Sequence, residues 1–183
     1  MEPDMMKSGF VIEMVPAAAL PAELWEQIAV LCSRLFETDY RVYMRQFHEP
    51  VHLLGLLDGE LVSHALWIDR WLQIDDGPLL KTAFVEAVVT EEAHQGKGYA
   101  KAIMRHAVAS MDGYQMAALA PGAPDFYAKL GWEHWQGPLA FRGAEGLVMS
   151  PEDEETMIYR LPGSPPLDLS RRLSVEWRPG DIW

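Results

Sequence analysis

A mixed α/β fold, in which helices cover a mixed sheet, is what this sequence predicts, and three observations predict it. A first strand and helix are followed by a meander of β-like runs joined by Asp-Gly turns. A later strand feeds a glycine-rich loop that opens into an amphipathic helix. The remainder sets short strands around one short helix, and an element order of this kind buries its apolar faces by layering helices on a sheet. No repeat or low-complexity linker interrupts the 183 residues, so the chain reads as one domain, 1–183.

Phe10 to Val15 (FVIEMV) begins the series as a strand. Apolar residues at Leu24, Ile28, Leu31, Cys32 and Leu35 then keep the helical period behind Pro21, which suits a first turn. A weaker helical stretch, Tyr40 to Phe47, closes at Pro50; the acids and aromatics of FETDYRVYMRQF, residues 36–47, make that segment a candidate lid over a substrate. VHLLGLL, ELVSHALWIDRWLQI and KTAFVEAVV form the meander, with Asp58-Gly59 and Asp76-Gly77-Pro78 at its turns. Ala100, Ile103, Met104, Ala107, Val108 and Met111 mark one face of the next helix, which Asp112-Gly113 ends. YQMAALA reads as a buried strand, PDFYAKLG as a helix stopped at Gly131, and WEHWQ, ETMIYRL and LSVEW as strands. Trp67 and Trp71 on the long second strand of the meander look exposed enough to serve an interface.

Bulk properties narrow the function. The formal net charge of -12, with no basic stripe on any predicted helix, excludes the electrostatic footprint of a nucleic-acid binder and favours a cationic partner. Cys32 is the only cysteine, so no intrachain disulfide forms, and a reducing, cytoplasmic setting is expected. MEPDMMKSGF lacks a secretory pattern, and no run approaches a membrane span. The six histidines show no metal spacing, since Pro50 stands between His48 and His52; no metal is expected.

The most specific local signal is HQGKGYAKA, residues 94–102, between FVEAVV and its helix. Two glycines one residue apart let successive amides converge, and the helix adds its unsatisfied N-terminal donors and positive dipole end. Lys97 and Lys101 supply local positive charge. The loop is neither a Walker loop nor the three-glycine dinucleotide pattern. Gln95, Gly98 and Ala100 do match Gln/Arg-x-x-Gly-x-Gly/Ala, and with the preceding Val-Val strand and FYAKLGW the stretch 82–132 resembles the GNAT superfamily of acetyl-coenzyme A dependent N-acetyltransferases. The resemblance implies the GNAT fold, with a mixed, mainly antiparallel central sheet. It also implies that amides of Gly96, Lys97, Gly98, Tyr99 and Ala100 hold the coenzyme pyrophosphate while the main chain of Val88 and Val89 pairs with the pantetheine arm.

Acetyl transfer to an amine needs a base for the incoming ammonium and an acid for the leaving thiolate. Glu86 is the lone charge of FVEAVV and, by the period of two, shares a face with Phe84 and Val88. It is the candidate base, against the alternative of a structural carboxylate paired from a neighbouring strand. By resemblance Tyr127 is the acid, against the alternative of a packed core aromatic.

Substrate choice lies outside this core. WRPGDIW at the C-terminus, with FVEAVV and FYAKLGWEHWQGP, resembles the aminoglycoside 2'-N-acetyltransferases. That resemblance implies a small cationic aminoglycoside as substrate, antibiotic resistance as outcome, a homodimer, and a tail, 174–183, that helps to line the substrate pocket. Asp39, Glu86, Asp181 and the terminal carboxylate of Trp183 would face the drug, with Glu37 as the alternative to Asp39. Where the family has small hydroxylated residues, this chain has Ala120, Pro121, Gly122, Ala123 and Pro124, which favours a narrower substrate such as kasugamycin as much as gentamicin-type drugs. The competing readings are an acetyltransferase for a peptide, polyamine or small metabolic amine, and a coenzyme-binding or drug-binding module without catalysis.

Overall fold

Local sequence decides most of the elements in the computed structural model, which describes residues 9–183. The first eight residues, on which the reading of the N-terminus rests, lie outside them. The described residues form ten strands: β1 (Phe10–Pro16), β2 (Val51–Leu57), β3 (Glu60–Ile74), β4 (Leu79–Thr90), β5 (Met116–Leu119), β6 (Glu133–His134), β7 (Leu139–Gly143), β8 (Gly146–Met149), β9 (Met157–Tyr159) and β10 (Leu173–Glu176). The helices are α1 (Ala22–Leu35), α2 (Arg41–Met44), α3 (Tyr99–Ala109) and α4 (Pro124–Ala128). Pairing is mixed and mainly antiparallel; β4 with β5 and β10 with β7 are the parallel pairs.

The chain packs as two compact units, and the adjacent strands β3 and β4 contribute residues to both. The first unit runs to Ile68 and resumes over Glu86–Ala109. Here β1 and β2 pair antiparallel, as do β2 and β3, and the hairpin between the latter turns on Asp58 (φ 52) and Gly59 (φ 86). Two positive φ values in a two-residue loop are the geometry whose twist suits paired strands, which is why Asp-Gly signals it. Ile28, Ala29, Leu31 and Cys32 of α1 and Ile103, Met104 and Ala107 of α3 are buried with Leu53, Leu54, Ala65 and Leu66. Trp67 belongs to this core at 3% exposure, so the expectation of an exposed residue is corrected: every residue of β3 from Val62 to Ile68 is buried, so both faces are covered there, whereas Trp71, in the same phase of the pleat, is exposed as expected.

The second unit takes Asp69–Val85 and Ser110–Trp183. Its β5 pairs parallel with Thr82–Phe84 of β4 and antiparallel with β9, which in turn carries β6. The start of β10 pairs with the end of β3 at Leu173↔Ile74, and its other edge holds β7, which hairpins into β8. That last hairpin has no counterpart in the elements expected from the sequence. All of β8 is exposed, including Leu147, Val148 and Met149, so the burial contrast that makes strands readable is missing.

Candidate active site

β4 carries the candidate base and breaks its own regularity to do so. Glu86 is half-buried, and the next residue, Ala87, has φ 53 in mid-strand. A left-handed alanine is unusual within a strand, yet the alternation runs on past it: Glu86, Val88 and Thr90 are half-buried, and Ala87 and Val89 are buried. The carbonyl of Ala87 accepts from His64 Nδ1 at 3.0 Å, and that of Val89 accepts from Ser63 Oγ at 3.0 Å. The carbonyls of Ala87 and Val89 are thus already engaged by side chains of β3.

After β4 a 3-10 turn, Glu92–His94, leads into the glycine loop. Gly96 (φ 72) and Gly98 (φ 86) hold conformations that side chains resist, and a Cβ at either would meet nothing within 4 Å. The first intrahelical bond of α3 runs from Ala102 N to the Gly98 carbonyl, so amides before Ala102 have no acceptor within the helix. An open cradle of this kind fits a pyrophosphate. Gln95 braces it by donating from Nε2 to the Thr90 carbonyl at 3.1 Å. Lys97 Nζ donates to the Ala93 carbonyl at 2.5 Å, so its charge sits at the loop's base. Tyr99 offers only its main chain: the ring is 1% exposed and stacks on Phe10 at 4.3 Å.

Asp39 stands at the start of α2 and accepts from Arg41 N at 3.2 Å and from Arg41 Nη1 at 3.3 Å. Arg41 also pairs with Glu26, so this acid enters any site partly neutralised.

In the second unit Tyr127 lies on α4, 8% exposed, with Phe126 and Trp132 edge-on at 5.0 and 6.1 Å. Burial pushes its hydroxyl up to about 12, which keeps the proton in place at neutral pH.

The C-terminal tail is held firmly. Arg70, 2% exposed, donates from Nε to Glu176 Oε1 at 2.8 Å, from Nη2 to the Glu176 carbonyl at 2.7 Å and from Nη1 to the Ile182 carbonyl at 2.9 Å. Its guanidinium lies 5.2 Å from the Phe84 ring centre, and that of Arg178 lies 5.7 Å from it. Arg178 Nε donates to the Asp181 carbonyl. Trp183, 4% exposed, donates from Nε1 to Ser150 Oγ at 2.9 Å. The final tryptophan is thus a buried anchor, and Asp181 remains exposed two residues before it. Glu154 is held above the usual carboxylate range by burial and then by the charges of Asp153 and Asp181. This acidic patch was not foreseen, because PEDEE and the tail are far apart in sequence; the run of acids was its only signal.

Among the described residues no group of three His, Cys, Asp or Glu could hold a metal ion, and no helix is long and apolar enough to cross a membrane.

Comparison with known proteins agrees with these features. The model of the acetyltransferase (GNAT) domain matches residues 18–135. An aminoglycoside 2'-N-acetyltransferase of Mycolicibacterium fortuitum is 34% identical over 131 residues, covering 68% of this chain and 67% of that protein. The GNAT family N-acetyltransferase YhbS of Escherichia coli, solved in complex with CoA, aligns with a TM-score of 0.63 at 18% identity over 92% of this chain and 89% of that one. A GCN5-related N-acetyltransferase of Anabaena variabilis aligns with a TM-score of 0.59 at 19% identity, covering 70% of this chain and 33% of that longer one. A matching domain model over most of the chain, a glycine cradle opening a helix and a mixed sheet of this order lead to one conclusion: the chain belongs to the GNAT acetyltransferases and is an acetyl-CoA dependent N-acetyltransferase.

Proposed function

We propose that this enzyme is an aminoglycoside 2'-N-acetyltransferase of the cytoplasm, working as one domain over 1–183 and as a homodimer, and that it confers resistance on its host. The observation that carries the reading is the acidic patch of Asp153, Glu154 and Asp181 beside a tail anchored by Arg70 and Trp183. Fixed carboxylates attract and orient a polyammonium sugar, and the net charge of -12 helps its capture. The likeness to the Mycolicibacterium enzyme supports the same class. Asp39 and the terminal carboxylate of Trp183 complete the amine-facing set.

Gly96 to Ala100 hold the coenzyme pyrophosphate, Gln95 braces the loop and Val88, with Val89, faces the pantetheine arm. Glu86 takes a proton from the substrate ammonium, directly or through a water. The freed lone pair attacks the thioester carbonyl carbon, the carbon–sulfur bond of the tetrahedral intermediate breaks, Tyr127 gives its proton to the thiolate, and the second proton lost by the new amide nitrogen restores the Tyr127 hydroxyl. The absence of hydroxylated side chains over Ala120–Pro124 favours a compact amino sugar of the kasugamycin kind.

The test is release of coenzyme thiol across a panel of aminoglycosides, polyamines and simple amines, followed by location of the acetylated nitrogen. Cys32 does not disturb such an assay, since it is fully buried and its thiol is pushed up to about 12. Turnover with aminoglycosides at the 2' nitrogen is expected; turnover confined to polyamines or peptides overturns the substrate class. In the same assay Glu86→Gln lowers kcat by about 100-fold and Tyr127→Phe by a smaller factor, with the coenzyme-induced rise in Tm retained. Full activity in either variant removes that residue from the chemistry.

A further inference from the structure

Two buried histidines have no part in the chemistry above. His52 on β2 and His64 on β3 are 1% and 0% exposed, and their rings are joined in series. His64 Nδ1 lies 3.0 Å from the Ala87 carbonyl oxygen, and His64 Nε2 lies 3.0 Å from His52 Nδ1. A carbonyl only accepts, so the His64 proton is on Nδ1; its Nε2 then offers a lone pair, to which His52 Nδ1 donates. Burial holds both rings neutral, His52 down to about 4 and His64 to about 3.

The chain ends on the one residue of β4 that departs from strand geometry. Ala87, at φ 53, stands between the candidate base and the candidate pantetheine contact. A non-glycine residue in the left-handed region is strained and persists only where its surroundings over-determine it. Here a side-chain donor secures its carbonyl, and two residues on, Ser63 secures Val89 while also pairing with Thr90 Oγ1 at 2.7 Å.

We propose that His64, oriented by His52, is a positioning residue for acetyl transfer: by holding Ala87 left-handed, its Nδ1–H sets the aim of the Glu86 carboxylate and of the Val88 main chain. This rests on the roles given to Glu86 and Val88 above. Were the two rings mere filling, an aliphatic side chain of similar size would serve as well as a donor.

The full-length protein is compared with His64→Asn, whose side-chain N–H falls near Nδ1, with His64→Gln, whose amide falls near Nε2, with His64→Leu and with His52→Leu. Measured are kcat, KM for acetyl-CoA and for the acetylated amine, the coenzyme-induced Tm shift, and amide hydrogen exchange over residues 86–89 without ligand. His64→Asn is expected to stay within about threefold of the parent kcat, and His64→Leu and His64→Gln to lose about tenfold or more, with the amine KM within about threefold. His52→Leu, which spares the bond to Ala87, falls between. Exchange over 86–89 quickens in the Leu and Gln variants and stays slow in the Asn variant. Equal kcat in the Asn and Leu variants overturns the proposal, as does unchanged kcat despite faster exchange. If His64→Leu does not fold, the contrast of Asn with Gln decides alone. Should the parent enzyme acetylate no amine, the substrate reading falls by itself, and the lock is judged by exchange and by the coenzyme-induced Tm shift, which the Gln variant then loses and the Asn variant keeps.

Discussion

In the function proposed above, the coenzyme loop with its strand and the C-terminal tail recognise their partners by opposite means. Residues 88–100 present main-chain groups, and most of what supports them is neutral, a glutamine brace, a serine hydroxyl and two buried histidines, with the Lys97 ammonium tied to the Ala93 carbonyl at the loop's base. The tail presents carboxylates, and what supports it is a buried guanidinium with three partners and an indole set against a serine. Main-chain recognition is indifferent to most side-chain replacement, whereas a charge-held tail depends on single residues. The coenzyme half should therefore tolerate substitution and respond to acid, and the tail should do the reverse.

The largest effect is expected at Arg70. Arg70→Leu leaves Glu176 Oε1 and the carbonyls of Glu176 and Ile182 without this donor, while Oε2 keeps Trp71 N, and removes about 3 kcal/mol of stability, toward the lower end for a broken buried pair because Glu176 is 38% exposed. Urea unfolding measures it, and a loss near zero would mean that the tail is held by packing alone.

Acid sharpens the other side. Unfolded histidines titrate near 6.5, whereas His52 and His64 are pushed down to about 4 and about 3. Below pH 6.5 the unfolded chain therefore binds protons that the folded chain refuses, and stability falls as pH falls. The slope approaches about 1.4 kcal/mol per pH unit for each ring, so about 2 kcal/mol per ring, about 4 for the two, is lost by pH 5. The carboxylates with lowered values, Glu26 and Asp168, start from 4.5 and 3.8 and act only in more acid solution. His64→Asn should reduce the slope; an identical slope would assign the acid sensitivity elsewhere.

Among the carboxylates, Asp181→Asn should raise the amine KM about tenfold and leave the coenzyme KM unchanged. An equal rise in both would dissolve the division of labour. The smallest change is expected for Lys97→Gln, about twofold in coenzyme KM, because its ammonium is already tied to the Ala93 carbonyl. A tenfold change there would show that the cradle relies on side-chain charge after all.

How much of this could be read from sequence follows the same division. The helices, the meander and the glycine loop were legible because apolar periodicity and Asp-Gly or Gly-x-Gly spacing act over a few residues. The hairpin of β7 and β8 was not, since its outer strand buries nothing. Glu86 was picked out as an acid in an apolar strand, but no neighbour in sequence announces that Ala87 is left-handed; its cause, His64, is on another strand. The histidines carried a faint signal, one in each of two otherwise apolar runs either side of a turn, VHLLGLL and ELVSHALW. Trp183 as an anchor was legible from its odd place at the chain end, whereas Arg70, Ser150 and Glu154 become its neighbours only through folding.

The anchored tail and acidic loop also bear on how such an enzyme changes under selection. Every residue assigned to the coenzyme falls within 88–100, and the acids of the patch fall within 153–181, so the two sets of positions occupy separate stretches of the gene. Variation that alters which amine is accepted can accumulate in the later stretch without touching coenzyme use. Drift toward a new amine should thus appear first as changes around residues 150–155 and 176–182, with the glycine loop left as it is.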